Sequence, residues 1–267
     1  MTGTLLNIAA IIIGSLIGIT IGDRLPAKMQ ESIMVCLGLV TLSVGIQDTL
    51  RTGNILIPLL CLLIGTIIGE LLDLDTALKR FGGWLQARVQ RTAPTNASGN
   101  VSLAQSSVQG TAAGRARFIN GFVTASLLFC IGPLAILGSV QNGINAADIK
   151  LLTIKSTLDF FAAMAFAASL GIGVAFSVLP TLIIQGGFAL LGMALANSLA
   201  AGAAVLDANN PYIRELTATG GLLLMAIALL LLNVKQTRVA NFLPALIIVP
   251  ILIWLAAQLG ITIYPAT

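Results

Sequence analysis

The sequence predicts an all-α, polytopic transmembrane helical bundle of about eight spans. Three observations predict it: 57% of the 267 residues are hydrophobic, only 9% are charged, and the mean hydropathy is +0.99. A soluble domain typically carries about 25% charged residues, so a soluble fold of this size would lack the charges to cover its surface. A surface that faces lipid needs none, and the composition therefore points to the bilayer.

Eight apolar segments have close to the roughly 20 residues that cross a hydrocarbon core. The first is interpreted as a retained helix and not as a cleaved signal peptide, because Met1–Thr4 carries no basic residue. Only Ser177–Pro180 separates the fifth span from the sixth, so this boundary is the least distinct. The predicted spans are 3–22, 32–50, 54–73, 117–139, 149–175, 178–204, 214–233 and 240–262.

Basic residues predict the orientation of the bundle. With the N-terminus outside, ten Lys and Arg residues fall on the cytoplasmic side and three fall outside, so the positive-inside rule puts both termini outside. No run interleaves basic and aromatic residues, and no nucleic-acid partner is expected. The ten cytoplasmic residues are Arg24, Lys28, Lys79, Arg80, Arg88, Arg91, Arg115, Arg117, Lys235 and Arg238.

One long polar stretch divides the chain. Residues 1–75 hold the first three spans, 76–116 form a cytoplasmic segment, and 117–267 hold the remaining five. Within the middle segment, 76–91 mixes apolar and basic residues, as a short amphipathic helix on the membrane surface does. Residues 92–114 are small and polar and are predicted to be a flexible linker.

Small residues recur at the spacing of helix-packing faces. Gly14, Gly18 and Gly22 are four residues apart, as are Gly65 and Gly69. In lipid, close backbone approach through glycine faces drives helix association. We favour packing within the chain, and the alternative for the first three glycines is a homo-oligomer interface.

Four residue types occur twice in the same order along the chain, which is typical of an inverted repeat. Gly, Arg, Asn and Pro follow one another through span two and its loop, and again through span seven and its loop. The copies lie five spans apart and would have opposite orientations, as the repeats of many secondary transporters do. The residues are Gly38, Arg51, Asn54 and Pro58, then Gly221, Arg238, Asn241 and Pro244.

Lys155 and Asp159 are charged residues within span five. Four residues apart, they share one helical face, and Asp159 would lie about 15 Å along a helix that starts near Ile149. A charge near the bilayer midplane costs about 2.5–3.5 kcal/mol. We expect these residues and Ser156 to bind a substrate or ion, with Asp159 able to hold a proton or cation. The alternative is an ion pair that only holds helices together.

Span four should be broken at mid-membrane, next to Cys130. Pro133 lacks an N–H group and clashes with the preceding turn, while Gly132 adds backbone freedom. Broken helices often line transport sites, although an ordinary proline kink is an equal alternative. We expect a cavity lined by spans four, five and six, with Asp159 and Lys155 beside this break.

Buried amides complete the candidate site. Gln185 lies at mid-depth in span six, and Asn7 and Asn120 lie in spans one and four. Each alone is more often a link between helices than a ligand. No metal, cofactor or catalysis is expected, because the chain has no histidine and its three cysteines form no Cys-x-x-Cys pair.

Several motifs resemble one bacterial family. Residues 126–139 with Gln141-Asn142-Gly143, Lys155-Ser156-x-x-Asp159 and Asn241-Phe242-Leu243-Pro244 are similar to the signature of the domain-of-unknown-function 554 (YqgA-like) membrane proteins. The resemblance covers nearly the whole chain. It implies a multi-pass protein of the inner membrane that is suspected of transport, with no established substrate or site residues.

The sequence therefore predicts a transporter of a small polar or ionic solute, coupled to a cation gradient, and not an enzyme. Two alternatives stay open: an oligomeric channel whose pore the same polar residues line, and a non-transporting sensor or scaffold that acts through 76–91.

Overall fold

The computed structural model describes residues 2–22, 24–92, 112–131, 133–196 and 210–259, and the regular structure in them is helical. The predicted helical bundle is confirmed. The α-helices are α1 (Thr2–Gly22), α2 (Ala27–Thr49), α3 (Leu56–Leu72), α4 (Leu74–Thr92), α5 (Ala112–Cys130), α6 (Pro133–Ile144), α7 (Lys150–Leu170), α8 (Val178–Ala196), α9 (Pro211–Leu231) and α10 (Pro244–Gln258), with 3-10 helices at Gly171–Ser177 and Val239–Phe242.

The bundle is apolar outside and partly polar inside. Large aliphatic side chains such as Leu71 and Ile183 are 81% and 72% exposed, whereas Lys155, Asp159 and Glu215 are buried. A soluble protein rarely exposes apolar surface on this scale. Hydrocarbon tails solvate it without cost, so this distribution is that of a helical membrane bundle.

The number of spans depends on how bent helices are counted. Within the described ranges, five helices are long and apolar enough to cross a membrane, or seven if each of two bent pairs is one span. One of the five is a 41-residue segment, Lys150–Leu190. An unbroken helix of that length would extend about 60 Å, twice the hydrocarbon thickness.

That segment reverses direction at Gly171. Asp159 and Gln185 would be about 39 Å apart in a continuous helix, yet the side-chain amide of Asn7 hydrogen-bonds to both. Gly171 has φ 77°, which a residue with a Cβ rarely adopts, and α7 ends there. If the helices before and after Gly171 are counted as two spans, the total is between six and eight. Eight spans with both termini outside therefore stay a prediction.

The glycine face of α1 packs against α7. A methyl group added at Gly14, Gly18 or Gly22 would collide with a backbone carbonyl oxygen of α7. The residue numbers rise together on both helices, so the two run parallel. This face is filled within the chain, as the sequence favoured, and it leaves no room there for a second copy. The three carbonyl oxygens belong to Phe160, Met164 and Ala168.

The helices of the proposed repeat are antiparallel neighbours. Gly38 lies against Leu232 and Gly45 against Gly221, so residue numbers rise on α2 as they fall on α9. Glycine contacts join α3 to the start of α10 and to the preceding 3-10 helix in the same antiparallel sense. Inverted copies would pack in this way, and the repeat itself stays a prediction.

The predicted break in span four is present. Helix α5 ends at Cys130 and α6 begins at Pro133, with axes bent by 58°; Gly132 itself lies outside the described residues. Helices α3 and α4 are also bent, by 52°, at Asp73, which has φ 48°. Helix α4 contains the predicted amphipathic segment, and most of the predicted linker at 92–114 falls in a range that is not described.

Candidate functional site

A salt bridge lies near the middle of α7. Lys155 Nζ donates hydrogen bonds to both carboxylate oxygens of Asp159, at 2.9 and 2.7 Å. Each residue is only 6% exposed. Asp159 lies about 14 Å from the start of a helix about 30 Å long, so the pair lies near the middle of α7, and its depth in the membrane stays a prediction. The two charges neutralise each other, which makes their burial tolerable.

Two amides from other helices extend this pair into a cluster. Asn7 Nδ2 donates to Asp159 Oδ2 at 2.9 Å and to Gln185 Oε1 at 3.3 Å. Asn7 and Gln185 are fully buried, and in the described structure Asn7 Oδ1 and Gln185 Nε2 have no hydrogen-bond partner. Each of the two amide groups therefore has one hydrogen-bonded atom and one unpaired atom. An unpaired buried donor or acceptor costs about 1–3 kcal/mol.

The remaining predicted site residues are divided between this cluster and other places. The Cys130 thiol is buried at the end of α5, with its Sγ 3.8 Å from Thr181 Oγ1. Ser156 Oγ donates to a carbonyl oxygen of its own helix and is satisfied there. Pro133 begins α6. Asn120 is not part of the cluster.

A cavity of about 340 Å³ reaches the ion pair; it is called the outer cavity because the basic residues predict that its end of the bundle faces outside. Its walls come from α2, the break between α5 and α6, α7 and α9. The sequence predicted a cavity lined by spans four, five and six, but no residue of span six lines this one. Gln185 of span six is connected to the ion pair through its hydrogen bond with Asn7. The charged lining residues are Asp48, Arg51, Lys155, Asp159 and Arg214.

A second, inner cavity of about 320 Å³ opens at the other end of the bundle. Asn120 lines it, with Asp75, Lys79 and Arg238. Asn120 is thus placed away from Asp159, which corrects the expectation that one cavity holds all the predicted residues. The sequence alone does not say which of the two cavities a polar side chain on a given helix lines.

The two cavities occupy opposite ends of the same helices. Helix α2 contributes Met34 to the inner cavity and Asp48 to the outer one, about 21 Å apart along the helix. Helix α9 contributes Leu231 to the inner cavity and Ile213 to the outer one, about 27 Å apart.

A thin apolar septum separates the cavities. Leu127 on α5 lines the inner cavity, and Ile131, which directly follows α5, lines the outer one, about 6 Å further along. On α9, Leu224 lines the outer cavity and Leu230 the inner one, about 9 Å apart. Leu127, Ile131, Leu224 and Ile227 are buried in one core cluster. At its thinnest, along α5 and α9, the barrier between the two cavities is therefore one to two helical turns thick, whereas on α2 the nearest lining residues, Met34 and Val44, are about 15 Å apart.

Sequence reasoning missed Glu215, which is fully buried near the start of α9. Its carboxylate accepts a hydrogen bond from Thr52 Oγ1 at 2.6 Å and another from the Gly53 backbone N–H at 2.8 Å. Glu215 thereby connects the α2–α3 loop to α9, next in sequence to Arg51 and Arg214, which line the outer cavity. An acidic residue at the start of predicted span seven was the available signal.

Replacing Glu215 with alanine should lower the free energy of unfolding by about 1–3 kcal/mol, because it leaves the partly buried donors of Thr52 and Gly53 without an acceptor. Glu215→Gln keeps one acceptor and should lose less. Glu70→Ala is the matched control: Glu70 is half exposed and pairs with Arg238 at the surface, so its removal should cost 1 kcal/mol at most, roughly. Denaturant unfolding in detergent measures all three, and equal losses for Glu215→Ala and Glu70→Ala would contradict this role.

The sequence match agrees with this architecture. The family described as "Protein of unknown function (DUF554)" matches residues 2–254. The chain belongs to this family. The resemblance read from the motifs around Cys130, Asp159 and Asn241 is confirmed, and the DUF554 match includes every residue of the buried cluster.

Two relatives of this DUF554 protein match along nearly their whole length. "Uncharacterized protein YqgA" of Escherichia coli (strain K12) is 32% identical over 92% of this chain and 93% of its own. "Uncharacterized membrane protein YdfK" of Bacillus subtilis (strain 168) is 27% identical over 98% of this chain and 99% of its own. No solved structure matches. Together with the apolar helices, the second name supports a multi-pass membrane protein.

Proposed function

We propose that this protein transports a small polar or ionic solute across the bacterial inner membrane. The observation that supports the proposal is the thin septum between two polar cavities, one of which ends at the Lys155–Asp159 pair. A carrier needs a binding site that is open to one side of the membrane at a time. Where the barrier is one or two helical turns thick, small helix movements can open the site to the opposite side of the membrane.

The ion pair is the centre of the proposed site. Intramembrane charges are costly and are functional by default, and this pair lines a cavity instead of being enclosed by apolar side chains. Transport is preferred to catalysis because the two charges neutralise each other and the sequence has no histidine to act as a general base.

The inner membrane is proposed because proteins that span the bacterial outer membrane are β-barrels, whereas the described part of this chain is a helical bundle. The orientation follows from the basic residues, so the cavity at Lys155 would open to the outside.

Uptake into proteoliposomes tests the proposal. Vesicles that contain the purified full chain are incubated with a mixture of small metabolites, and their contents are measured by mass spectrometry. At least one solute should be enriched by the natural protein and not by Lys155→Met. The matched control is Lys150→Met, since Lys150 is exposed at the start of the same helix and its loss should change nothing. Equal uptake by all three proteins would reject the site.

Sided labelling separates a carrier from the channel alternative. Thr217→Cys places a thiol in the outer cavity and Thr124→Cys places one in the inner cavity, each in a chain without its natural cysteines. For a carrier, saturating solute should raise the labelling of one thiol by a membrane-impermeant reagent while it lowers that of the other. A rise in both together would favour a channel.

A further inference from the structure

We propose that α4 and the start of α5 bind the headgroup of an anionic phospholipid, through Arg80 and Arg115 and beside the exposed rings of Phe81 and Trp84. Neither arginine lines the outer cavity. The inference holds whether or not the protein is a transporter.

The segment that contains α4 is strongly basic. Residues 76–147 include six Lys and Arg residues and no Asp or Glu. Lys79 is neutralised by Asp75, which lies just before this segment. In the described part of the chain, the salt bridges involve neither Arg80 nor Arg115. These two arginines therefore keep their charge for a partner outside the chain.

Helix α4 has an exposed face that is both basic and aromatic. Phe81 and Trp84 are 41% and 57% exposed, and their rings stack with centroids 5.8 Å apart. Arg80 is exposed and lies four residues before Trp84, so it shares this face. The opposite face is buried, since Leu85 and Gln86 are only 7% and 2% exposed. The described residues thus cover one side of α4 and leave the other open.

Arg115 reaches this face from α5. A Cβ added at Gly83 would lie 3.3 Å from Arg115 Nη2, so the guanidinium group rests against α4 at a position without a side chain. Gly83 follows Arg80 by three residues and lies on the same side of the helix. Two arginines that are distant in the sequence therefore emerge on one surface, about one helical turn apart.

A phospholipid headgroup has the chemistry that this surface recognises. Guanidinium groups bind phosphate oxygens through paired N–H donors, and basic residues beside a bilayer favour anionic lipids. Aromatic rings at the membrane interface lie at the level of the headgroups. A free phosphate ion would contact the arginines alone, whereas a phospholipid also covers the exposed rings of Phe81 and Trp84.

The position of α4 fits this partner. Helix α3 ends in Leu71 and Leu72, which are 81% and 62% exposed, as side chains that face lipid are. Helix α4 follows after a bend of 52°, and its first turns place Asp75 and Lys79 in the wall of the inner cavity. It therefore starts at the end of the bundle that the basic residues predict to be cytoplasmic, where anionic lipids give the membrane surface a negative potential.

Tryptophan quenching tests the proposal in the full chain. The sequence has two tryptophans, Trp84 and Trp254, and they are 57% and 56% exposed. Trp254→Phe leaves Trp84 as the reporter, and Trp84→Phe leaves Trp254 on α10 as the matched control. Each protein is reconstituted in phosphatidylcholine vesicles that contain increasing fractions of one brominated lipid. That lipid is either phosphatidylglycerol or phosphatidylcholine, with the same brominated acyl chains.

Brominated phosphatidylglycerol should quench Trp84 at lower fractions than brominated phosphatidylcholine does. Half-maximal quenching should need at least about fivefold less of the anionic lipid, because each basic residue near the membrane surface changes its affinity by roughly that factor. Trp254 should be quenched equally by the two lipids.

Variants assign the preference to the two arginines. Arg80→Gln combined with Arg115→Gln, in the chain that keeps only Trp84, should remove most of the preference for phosphatidylglycerol. The matched control is Arg24→Gln combined with Lys28→Gln. It removes two exposed charges near the start of α2, at the same end of the bundle, and should keep the preference.

Three outcomes would overturn the proposal. The first is equal quenching of Trp84 by the two brominated lipids, a measurement that leaves every residue of the surface unchanged. The second is a preference that survives the loss of both arginines, since the aromatic rings would then act without them. The third is loss of the preference when inorganic phosphate is added at constant ionic strength, because the surface would then bind the free ion instead of the lipid.

Discussion

Replacing Asp159 with leucine should lower the free energy of unfolding by about 3–5 kcal/mol. The substitution leaves the Lys155 ammonium group buried at mid-membrane without its counter-charge, and breaking a buried pair from one side has a cost of this size. Thermal or denaturant unfolding of the purified protein in detergent measures the loss.

The double variant provides the control for this prediction. Lys155→Met combined with Asp159→Leu removes both charges, and it should recover most of the stability, because buried pairs are often no more stabilising than apolar residues of similar volume. Asp148→Asn, in the loop before α7, should have little effect. A double variant as unstable as Asp159→Leu would mean that the carboxylate stabilises the fold through Asn7 and not through Lys155.

Replacing Gly18 with valine should lower the free energy of unfolding by about 1–3 kcal/mol or more. The added carbon would collide with the backbone carbonyl oxygen of Met164, so α1 and α7 would have to move apart along their whole contact. Backbone cannot rotate away as a side chain can, which puts this change at the upper end of the range for overpacking. The measurement is again the unfolding midpoint in detergent.

Gly187→Ala is the matched control for that substitution. A carbon added at Gly187 meets nothing within 4 Å, and alanine in a helix is favoured over glycine by about 1 kcal/mol. This variant should be as stable as the natural protein or slightly more stable. If Gly18→Val unfolds at the same midpoint as Gly187→Ala, the close parallel packing of α1 on α7 is wrong.

Local features of the fold and the site could be predicted from the sequence. The membrane bundle follows from composition, the break at Pro133 follows from the chemistry of proline, and the pairing of Lys155 with Asp159 follows from a four-residue spacing on a helix. Each of these depends on residues within one or two turns of one another.

The neighbours of each helix could not be predicted. The outer cavity takes walls from α2 and α9 in place of span six, and Asn120 lines the inner cavity. Glu215 has its partners 162 and 163 residues away in the chain. In lipid, every helix is apolar on several faces, so hydrophobic patterning does not specify which face meets which neighbour. The four-residue spacing of glycines predicts that a helix packs closely against another helix. It does not predict which helix that neighbour is.

The parallel pairing of α1 with α7 has a consequence for biogenesis. About 130 residues separate the end of α1 from the start of α7, and at typical translation rates their synthesis takes on the order of ten seconds. During that time the nascent first helix has its glycine ridge unmatched in the lipid. The closest packing of the first helix can therefore form only after the later half of the polypeptide has left the ribosome and entered the membrane.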